Sequence, residues 1–302
     1  GGPLGPRVRL PAHPLMQHAL LDWWEGAGRH DLPWRLTRDP WAILVSELML
    51  QQTQVSRVVT RHRTFLKRFP SATACADAPV GDVVSAWAGL GYNRRAVSLH
   101  RAATAVCDGH DGTVPDDLDA LLALPGVGPY TSRAVLVFAF ERDIGLVDTN
   151  AGRFVARALA GRALGAREAQ AVADAAVPAG RGWAWGQAVF DLGATTCTKR
   201  APACDSCPVR MWCAWARSGF AAPDPVTGSA GISGPQSRFA GSFRQGRGRL
   251  VAALRAGPVA DEAVAATCGW PDQPERAAEA ARSLIDDGLA IWDKPSASLQ
   301  LP

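Results

Sequence analysis

Four cysteines stand close enough in this chain to hold a metal centre: Cys197, Cys204, Cys207 and Cys213, spaced C-x6-C-x2-C-x5-C. Four thiolates are the usual ligands of a [4Fe–4S] cluster. Structural zinc is the alternative, but zinc sites usually combine two short C-x2-4-C turns, and this segment contains one. A disulfide framework fits poorly because the total of seven cysteines is odd. The spacing therefore favours an iron–sulfur cluster over zinc, and a metal site over unligated thiols.

The segment L-P-G-V-G-P-Y at residues 124–130 could bind an anion. Gly126 and Gly128 allow the backbone around Val127 to turn sharply, and its N–H groups would then face a phosphate at the start of the next helix. A plain tight turn between two helices would use the same residues. The helix–hairpin–helix element, which holds a DNA phosphate without reading the base sequence, also has this form.

The composition is that of a globular protein without a membrane segment. The 302 residues are 47% hydrophobic, which is enough for two or three compact units. No apolar run approaches the roughly 20 residues of a membrane span, and the amino-terminal residues lack the apolar region of a signal peptide. We therefore expect a soluble cytoplasmic protein associated with the bacterial nucleoid, in a compartment that keeps thiols reduced. The net charge is only +4 and arginine far outnumbers the three lysines. Arginine suits phosphate contacts, but a GC-rich genome would explain the excess equally well.

Helix breakers divide the chain into segments of helical pattern, and no segment before residue 240 alternates with the period of a strand. The sequence therefore predicts an all-α body. The predicted helical segments are residues 41–69, 80–107, 115–124, 130–140, 150–160, 167–177 and 183–195. The first is expected to be one or two helices, and the second is expected to be interrupted at residues 89–91. Residues 221–247, which are rich in Gly, Ser, Pro and Arg, are predicted to form a linker. Residues 248–302 show three helical segments and then a hairpin, the pattern of a small winged-helix-like unit that could dock on the protein or contact DNA.

Taken in chain order, these motifs resemble one family. The hairpin, the sequence V-D-T-N at residues 147–150 and the cysteine segment are typical of the helix–hairpin–helix DNA glycosylases of the endonuclease III superfamily. Three segments resemble its adenine-specific MutY branch: L-P-W-R at 32–35, S-E-L-M-L-Q-Q-T-Q-V at 46–55 and G-L-G-Y at 89–92. The resemblance covers about residues 15–220. It implies a two-lobed fold, with a six-helix lobe at about 36–140 and a cluster lobe from 15–35 and 141–220, and a [4Fe–4S] cluster on the four cysteines.

Release of adenine from DNA requires two kinds of group, and two carboxylates of the chain could provide them. An acid must protonate the departing base, and negative charge must lie near the sugar, where an oxocarbenium-like cation develops. Glu47 lies among apolar residues, and burial would raise its pKa into the range of a general acid. The residues alone favour another interpretation, in which Glu47, Gln51, Gln54 and Arg61 form one solvated stripe of a helix. The resemblance identifies Glu47 as the acid that protonates N7 of adenine and later positions water.

Asp148 precedes a predicted helix and would ordinarily be its N-cap. The resemblance makes it also the carboxylate that stabilises the cationic sugar, with Asn150 orienting the site, whereas Thr149 replaces the glycine that is common in the family. Tyr130 stands where relatives that also cut the strand have a lysine nucleophile. Because no lysine lies near the hairpin, the sequence predicts a monofunctional glycosylase that leaves the strand intact.

The resemblance further implies a set of residues that contact DNA or the extruded base. Extrusion has an energetic cost, and Gln52 and Tyr92 are expected to fill or flank the vacated stack. The other predicted contacts line the adenine pocket or hold the backbone: Leu32, Trp34, Arg35, Gln187, Gly126, Val127 and Gly128. Gln52 could instead be an ordinary surface residue, Tyr92 a residue at the edge of the core and Trp34 a core residue. Basic residues near the cysteines are weaker predictions of phosphate contacts: Lys199, Arg200 and Arg210.

The predicted partner is double-stranded DNA containing adenine opposite 8-oxoguanine or G, bound by a monomer with no membrane association. Relatives of this branch often carry a large Nudix-like domain that recognises 8-oxoguanine, and residues 221–302 are too short for one. Two other functions stay open: a thymine-mismatch glycosylase, whose relatives also have a tyrosine at the hairpin, and a non-catalytic iron–sulfur protein that binds DNA or senses redox state. Glu47 favours adenine, and the presence of both Glu47 and Asp148 favours catalysis.

Overall fold

The computed structural model describes residues 13–229 and 238–302, and most of them are helical. The α-helices in these ranges are α1 (Pro14–Ala27), α2 (Pro40–Leu50), α3 (Val55–Arg68), α4 (Ala72–Ala76), α5 (Val80–Ala86), α6 (Arg94–His110), α7 (Leu118–Ala123), α8 (Pro129–Phe140), α9 (Thr149–Phe154), α10 (Ala166–Ala175), α11 (Gly182–Thr195), α12 (Ala214–Arg217), α13 (Phe243–Leu254), α14 (Val264–Cys268) and α15 (Pro274–Asp286). Short 3-10 turns lie at Pro33–Arg35, Cys204–Ser206, Arg210–Trp212 and Asp261–Ala263, and a π-helical turn, Val155–Ala160, continues α9. Three short strands follow α13: β1 (Val259–Ala260), β2 (Ile291–Asp293) and β3 (Ser298–Gln300). The prediction of an all-α body is confirmed. None of the helices in the described ranges is long and apolar enough to cross a membrane.

The described residues form two compact units, each built from two parts of the chain. One, here termed the cysteine unit, contains residues 13–38 and 128–229; the other, the Glu47 unit, contains residues 39–127 and 238–302. The sequence-based division placed α8 in the six-helix lobe, with a boundary near residue 140. In the structure α8 belongs to the cysteine unit, because Phe138 of α8 packs edge-on against Phe190 of α11 with 5.9 Å between the ring centroids.

A buried carboxylate organises the cysteine unit. Asp191 on α11 is fully buried. Its oxygens accept hydrogen bonds from the indole of Trp24 on α1 at 3.1 Å and from both terminal nitrogens of Arg35 at 2.7 and 2.9 Å. The guanidinium of Arg29 forms a further ion pair at 2.6 Å. Because a buried charge is tolerated only when it is paired and hydrogen-bonded, this network fixes α1 and the Pro33–Arg35 turn against α11.

Helix α2 is the centre of the Glu47 unit. Every residue from Trp41 to Met49 is buried, as expected for a helix that is apolar on all sides. The predicted helical segment 41–69 is two helices, because α2 ends at Leu50 and the chain turns through Gln52, whose φ is +54°. The predicted interruption of the segment 80–107 at residues 89–91 is confirmed, because α5 ends at Ala86, α6 begins at Arg94, and Gly89, Gly91 and Tyr92 between them all have positive φ.

Residues 238–302, here termed the carboxy-terminal module, contain α13 to α15 and a three-stranded antiparallel sheet in the order β1-β3-β2. This agrees with the predicted three helices and hairpin. The predicted linker was too long at its carboxyl end, because Ser242 caps α13 by accepting the N–H of Gln245 at 3.2 Å and residues 243–247 are helical. Gly246 concealed the helical pattern at the start of α13. Glycine is required at this position because a Cβ would lie 2.1 Å from the ring of Trp270. Residues 230–237 of the predicted linker lie outside the described residues.

The carboxy-terminal module packs on helices of the same unit. Arg255 donates to the carbonyl of Val84 at 3.1 and 3.2 Å and to the side-chain oxygen of Asn93 at 2.8 Å. The N–H of Gly81 donates to the carbonyl of Pro302 at 2.9 Å. The module therefore docks on the protein, which is one of the two roles that the sequence left open.

Replacing Asp191 by asparagine should destabilise the cysteine unit by about 3–5 kcal/mol, because Arg35 would keep a buried charge without its counter-ion. Urea unfolding at pH 7 would measure the loss. The matched control is Asp82→Asn, which removes the exposed ion pair of Asp82 with Arg68 at 2.8 Å. Exposed pairs contribute little, so this variant should change the free energy of unfolding by less than about 1 kcal/mol.

The same variant should show a defined pH dependence. Burial alone would raise the pKa of Asp191, but the hydrogen bonds and charge of Arg35, with those of Arg29, outweigh it and hold the pKa below its usual value. The carboxylate therefore stabilises the fold fully above the pKa of the unfolded chain, about 3.9, and loses this effect as the pH falls through the lower folded-state pKa. The difference between the wild type and Asp191→Asn should shrink below about pH 4. Equal stabilities at pH 7 would contradict this account of the network.

Candidate functional site

Asp148 is the N-cap of α9, as its place before a predicted helix indicated. One carboxylate oxygen accepts the N–H groups of Asn150 at 2.8 Å and Ala151 at 2.7 Å, and the other accepts the side-chain amide of Asn150 at 3.1 Å. Burial raises the pKa of Asp148, whereas these hydrogen bonds and the charge of Arg153 act in the opposite direction. A carboxylate held in this way can stabilise a nearby cation without reorganising.

Arg153 connects this carboxylate to the cysteine segment. Its guanidinium donates to the side-chain oxygen of Asn150 at 2.7 Å and to the carbonyl of Cys197 at 2.8 Å. A further hydrogen bond, of 2.5 Å, reaches the carbonyl of Gly193 on α11. Helices α9 and α11 are very close here, since a Cβ at Gly193 would lie 2.6 Å from the carbonyl oxygen of Asn150. The orientation of Asp148 through Asn150 therefore depends on the conformation of the cysteine segment.

All four cysteines line one pocket, together with apolar side chains that include Leu192 and Val209. Three of them, Cys197, Cys207 and Cys213, also pack against the core of the cysteine unit. Four sulfur atoms around one apolar pocket are the soft donor set that iron–sulfur clusters require. Within residues 13–229 and 238–302, no three His, Cys, Asp or Glu side chains are grouped as a site for a single metal ion.

The charges around this pocket also suit a thiolate-ligated cluster. Burial, with a smaller effect of the neighbouring cysteines, raises the pKa of Cys207 to about 11. Thiolates would therefore need positive charge close by at neutral pH. Arg157 lies beside them, donating to the sulfur of Cys197 at 3.6 Å and to the carbonyl of Thr198 at 2.7 Å, and it is paired with Asp224. The residues present fit a [4Fe–4S] cluster held by Cys197, Cys204, Cys207 and Cys213.

Five further predicted site residues lie in the cysteine unit: Leu32, Trp34, Arg35, Tyr130 and Gln187. Leu32, Trp34 and Gln187 are buried, and Tyr130 in the first turn of α8 is half-buried with its ring 6.3 Å from that of Phe190.

Arg35 was expected to contact DNA, but its guanidinium is buried and bound to Asp191. It acts instead as a positioning group. The Arg35–Asp191 pair holds the turn that carries Trp34 against α11, where Gln187 lies one helical turn from Asp191 on the same face.

The predicted phosphate-binding hairpin joins α7 to α8. Gly126 has φ +79°, and a Cβ there would lie 2.6 Å from the side chain of Ser98, so both the backbone conformation and the space require glycine. Val127 is buried and anchors the turn, while Gly126 is exposed. Gly128 is the N-cap of α8 and its carbonyl accepts the N–H of Ser132 at 3.0 Å. An exposed glycine turn that leads into a helix N-terminus can receive a phosphate.

Glu47 lies on α2 and is 5% exposed. The interpretation of Glu47, Gln51, Gln54 and Arg61 as one solvated stripe is wrong, because α2 ends at Leu50 and Arg61 belongs to α3. Burial in an apolar helix is the setting in which a carboxylic acid can keep a proton and donate it to a substrate.

Arg95, a buried arginine of α6, fixes the two loops that carry Gln52 and Tyr92. It donates to the carbonyls of Leu48 at 2.8 Å and Gln51 at 2.5 Å on one side, and to that of Gly91 at 2.9 Å on the other. Gln52 and Tyr92 are exposed and have left-handed φ values of +54° and +45°. Non-glycine residues in this conformation cost on the order of 1 kcal/mol and persist where the surroundings enforce them, commonly at functional sites.

Three residues that hold these groups in place were not found by sequence analysis: Arg95, Arg153 and Asp191. Asp191 did leave a signal, since it is the only charged residue of α11 and a lone charge in an apolar helix must have a partner. The two arginines left none, because arginine is abundant in this chain and their partners are mainly backbone carbonyls.

Comparison with known proteins identifies the family. Residues 45–178 match the profile of the HhH-GPD superfamily base excision DNA repair protein. The adenine DNA glycosylase of Mycobacterium tuberculosis is 40% identical over 292 residues, which cover 94% of this chain and 92% of that protein. That of Mycolicibacterium smegmatis is 40% identical over 274 residues, covering 89% and 90%. The human adenine DNA glycosylase is 36% identical over 212 residues, covering 65% of this chain and 38% of the human protein.

Solved structures of DNA glycosylases have a fold similar to that of this chain. A thermostable thymine-DNA glycosylase superimposes with a TM-score of 0.62 at 28% identity, covering 68% of this chain and 96% of that one. A trapped endonuclease III–DNA covalent intermediate gives a TM-score of 0.59 at 20% identity, with 68% and 96% coverage, and shows the likeness of the fold alone. The family match and the 40% identity with adenine DNA glycosylases over most of both chains show that the chain belongs to the HhH-GPD superfamily of base excision DNA repair proteins and, within it, to the adenine DNA glycosylase family.

Proposed function

We propose that this protein removes adenine from duplex DNA where it is mispaired with 8-oxoguanine or G, and leaves the strand uncut. Close similarity to adenine DNA glycosylases over nearly their whole length supports the choice of base. The observation that carries the proposal is the state of two carboxyl groups: Glu47 is buried in an apolar helix, and Asp148 is fixed at a helix N-terminus. A proton donor and a fixed anion are the two groups that glycosidic cleavage requires.

In the proposed reaction Glu47 acts first, as a general acid. It transfers its proton to N7 of adenine while the bond between C1′ and N9 breaks and the electron pair of that bond passes to the base. Asp148 stabilises the positive charge that remains on the sugar. Water then adds to C1′ and gives a proton to the Glu47 carboxylate, which restores the acid and leaves an abasic site.

Access to the base requires that the nucleotide leave the stack. Gln52 and Tyr92, exposed on loops fixed by Arg95, are proposed to occupy the vacated space. Leu32, Trp34 and Gln187 are proposed to line the adenine pocket, and the hairpin with Gly126 and Gly128 to hold a phosphate. Since phosphate contacts release counterions, binding should weaken steeply with salt.

The presence of Tyr130 supports the proposal that the protein leaves the DNA strand uncut. A strand-cutting glycosylase uses an amine that attacks C1′ and forms a Schiff base. At this position the chain has an aromatic side chain packed near Phe190, which cannot form such an adduct.

Thymine removal from T·G mismatches is the second candidate, because the thermostable thymine-DNA glycosylase has a similar fold at 28% identity. The buried Glu47 favours adenine, since a purine leaves more readily once a ring nitrogen is protonated, and thymine departure depends less on an acid.

Glu47→Gln should lower the rate of adenine release by about 10²- to 10⁴-fold, the usual contribution of a general acid. The assay uses duplexes containing A opposite 8-oxoguanine, A opposite G, T opposite G, and thymine glycol, followed by alkali to reveal abasic sites. Strand breaks should appear only after alkali, and only in the two adenine duplexes.

Glu25→Gln, which alters an exposed carboxylate of α1, is the matched control and should keep the full rate. Release of thymine alone would exclude the proposed substrate. Lysine-dependent capture of the protein on DNA by borohydride would exclude the monofunctional mechanism.

We further propose that Cys197, Cys204, Cys207 and Cys213 bind a [4Fe–4S] cluster, on the strength of the pocket that they share. When bound, the cluster would hold the cysteine segment in one conformation. All four cysteines serve as ligands in this proposal, so that no open coordination position remains for Lewis-acid chemistry. Arg153, bonded to the carbonyl of Cys197, would then keep Asn150 and Asp148 in place.

Cys204→Ser should therefore reduce the iron and acid-labile sulfide content, which should be about four of each per chain in the wild type. Cys107→Ser, at a half-buried cysteine outside the tetrad, is the control and should keep the full content. Elemental analysis of the purified proteins distinguishes the metals, and stoichiometric zinc in place of iron would refute the assignment.

A further inference from the structure

We propose that Arg244 of the carboxy-terminal module, together with Tyr92, reads the base opposite the excised adenine and selects guanine or 8-oxoguanine over cytosine. The inference rests on the proposed adenine glycosylase activity and adds to it the residues that determine opposite-base specificity. In this proposal the carboxy-terminal module both docks on helices of the Glu47 unit and contacts the DNA base opposite the adenine.

The first observation is the contact itself. The guanidinium of Arg244 donates to the hydroxyl of Tyr92 at 3.2 Å, across 152 positions of sequence. It also faces two aromatic rings, with its central carbon 6.0 Å from the Tyr92 ring centroid and 5.3 Å from that of Phe239. Tyr92 is 39% exposed and Phe239 is 53% exposed. An arginine beside two exposed aromatic rings offers stacking faces and hydrogen-bond donors at one place on the surface.

The second observation is that hydrogen bonds fix the backbone on both sides of Arg244. Helix α13 begins at Phe243, so Arg244 lies in its first turn, where Ser242 is the N-cap. The turn before the helix is fixed by Arg276, which donates to the carbonyl of Gly241 at 3.0 Å. From the other end of α13, Arg255 bonds the side chain of Asn93, the neighbour of Tyr92.

The Tyr92 side of the contact is equally constrained. Arg95 holds the loop through the carbonyls of Gly91 and, more weakly, of Tyr92 at 3.3 Å. The left-handed backbone at Tyr92 directs an aromatic side chain outward at the point where the proposed function requires a wedge in the base stack. Arg244 therefore stands beside the residue that would enter the duplex, which is where the opposite base is exposed.

The chemistry of the guanidinium determines what it would select. Arginine only donates hydrogen bonds, so it favours a base edge that presents acceptors. Guanine presents the adjacent acceptors O6 and N7, whereas cytosine presents an amino donor on the same edge. 8-Oxoguanine presents the carbonyl oxygens O6 and O8 as acceptors, with a donor N7–H between them, so that arginine would contact one of these oxygens. A pairing between Arg244 and this edge would favour A·8-oxoguanine and A·G over A·C.

The test measures single-turnover rate constants for adenine release from duplexes with A opposite 8-oxoguanine, G or C. The wild type should prefer 8-oxoguanine and G. Arg244→Ala should reduce the ratio of the G rate to the C rate by at least about tenfold, the usual weight of a bidentate arginine–base contact. The ratio of the 8-oxoguanine rate to the C rate should fall in the same direction. Arg244→Lys, which keeps the charge but loses the planar fork, should reduce the ratio as well. Tyr92→Phe, which removes only the hydroxyl, should give a smaller reduction.

Arg282→Ala, at an exposed arginine of α15 in the same module, is the matched control and should leave the ratio unchanged. A uniform loss of rate on all three duplexes, with a shallower salt dependence of binding, would mean that Arg244 contacts a phosphate and would overturn the proposal. An unchanged ratio in both Arg244 variants would also overturn it. If Arg244→Ala does not fold, as judged by circular dichroism, Arg244→Lys decides. A wild type that releases adenine without preferring guanine-type partners would refute this inference alone, and one that releases no adenine would refute the proposed function.

Discussion

The orientation of the Asp148 carboxylate depends on the backbone N–H groups at the start of α9, and Asn150, Arg153 and the cysteine segment are connected to that contact. A carboxylate in a partly buried place tends to take up a proton, because burial penalises its charge. Two N–H groups and the amide of Asn150 offset part of this penalty, although burial still raises the pKa of Asp148, and they fix the orientation of the group. Arg153 then fixes Asn150 from behind, and the close approach of α11 at Gly193 leaves these groups little freedom.

Three buried arginines hold stretches of irregular backbone. Arg95 bonds the carbonyls of two loops, Arg153 bonds α9, α11 and the cysteine segment, and Arg157 bonds the carbonyls of Thr198 and Lys199. A planar guanidinium with five donors can satisfy several carbonyls at once, which lysine cannot do. Part of the arginine excess therefore has a structural function. Genome composition alone does not account for it.

Local signals identified most of the elements correctly. Proline, glycine and capping residues mark the carboxyl end of α7 and both ends of α8, and the hydrophobic pattern located α10 and α11 within one or two residues. The spacing of the four cysteines predicted that they act together, and they line one pocket. Two predictions failed where glycines or a lone polar residue concealed the local pattern. These were the start of α13, hidden by Gly246 and Gly248, and the solvated stripe through Glu47.

The sequence by itself determined the helical class, the family and the identity of the groups that could do chemistry, because these depend on periodicity, breakers and motif spacing along a short stretch of chain. Tertiary structure alone decided that Glu47 is buried, that Arg35 is bound to Asp191, and that Arg244 lies against Tyr92. Each of these is a contact or a burial created by residues distant in the chain. Whether a charged side chain serves a substrate or the fold depends on those neighbours, and they meet only when the chain is packed.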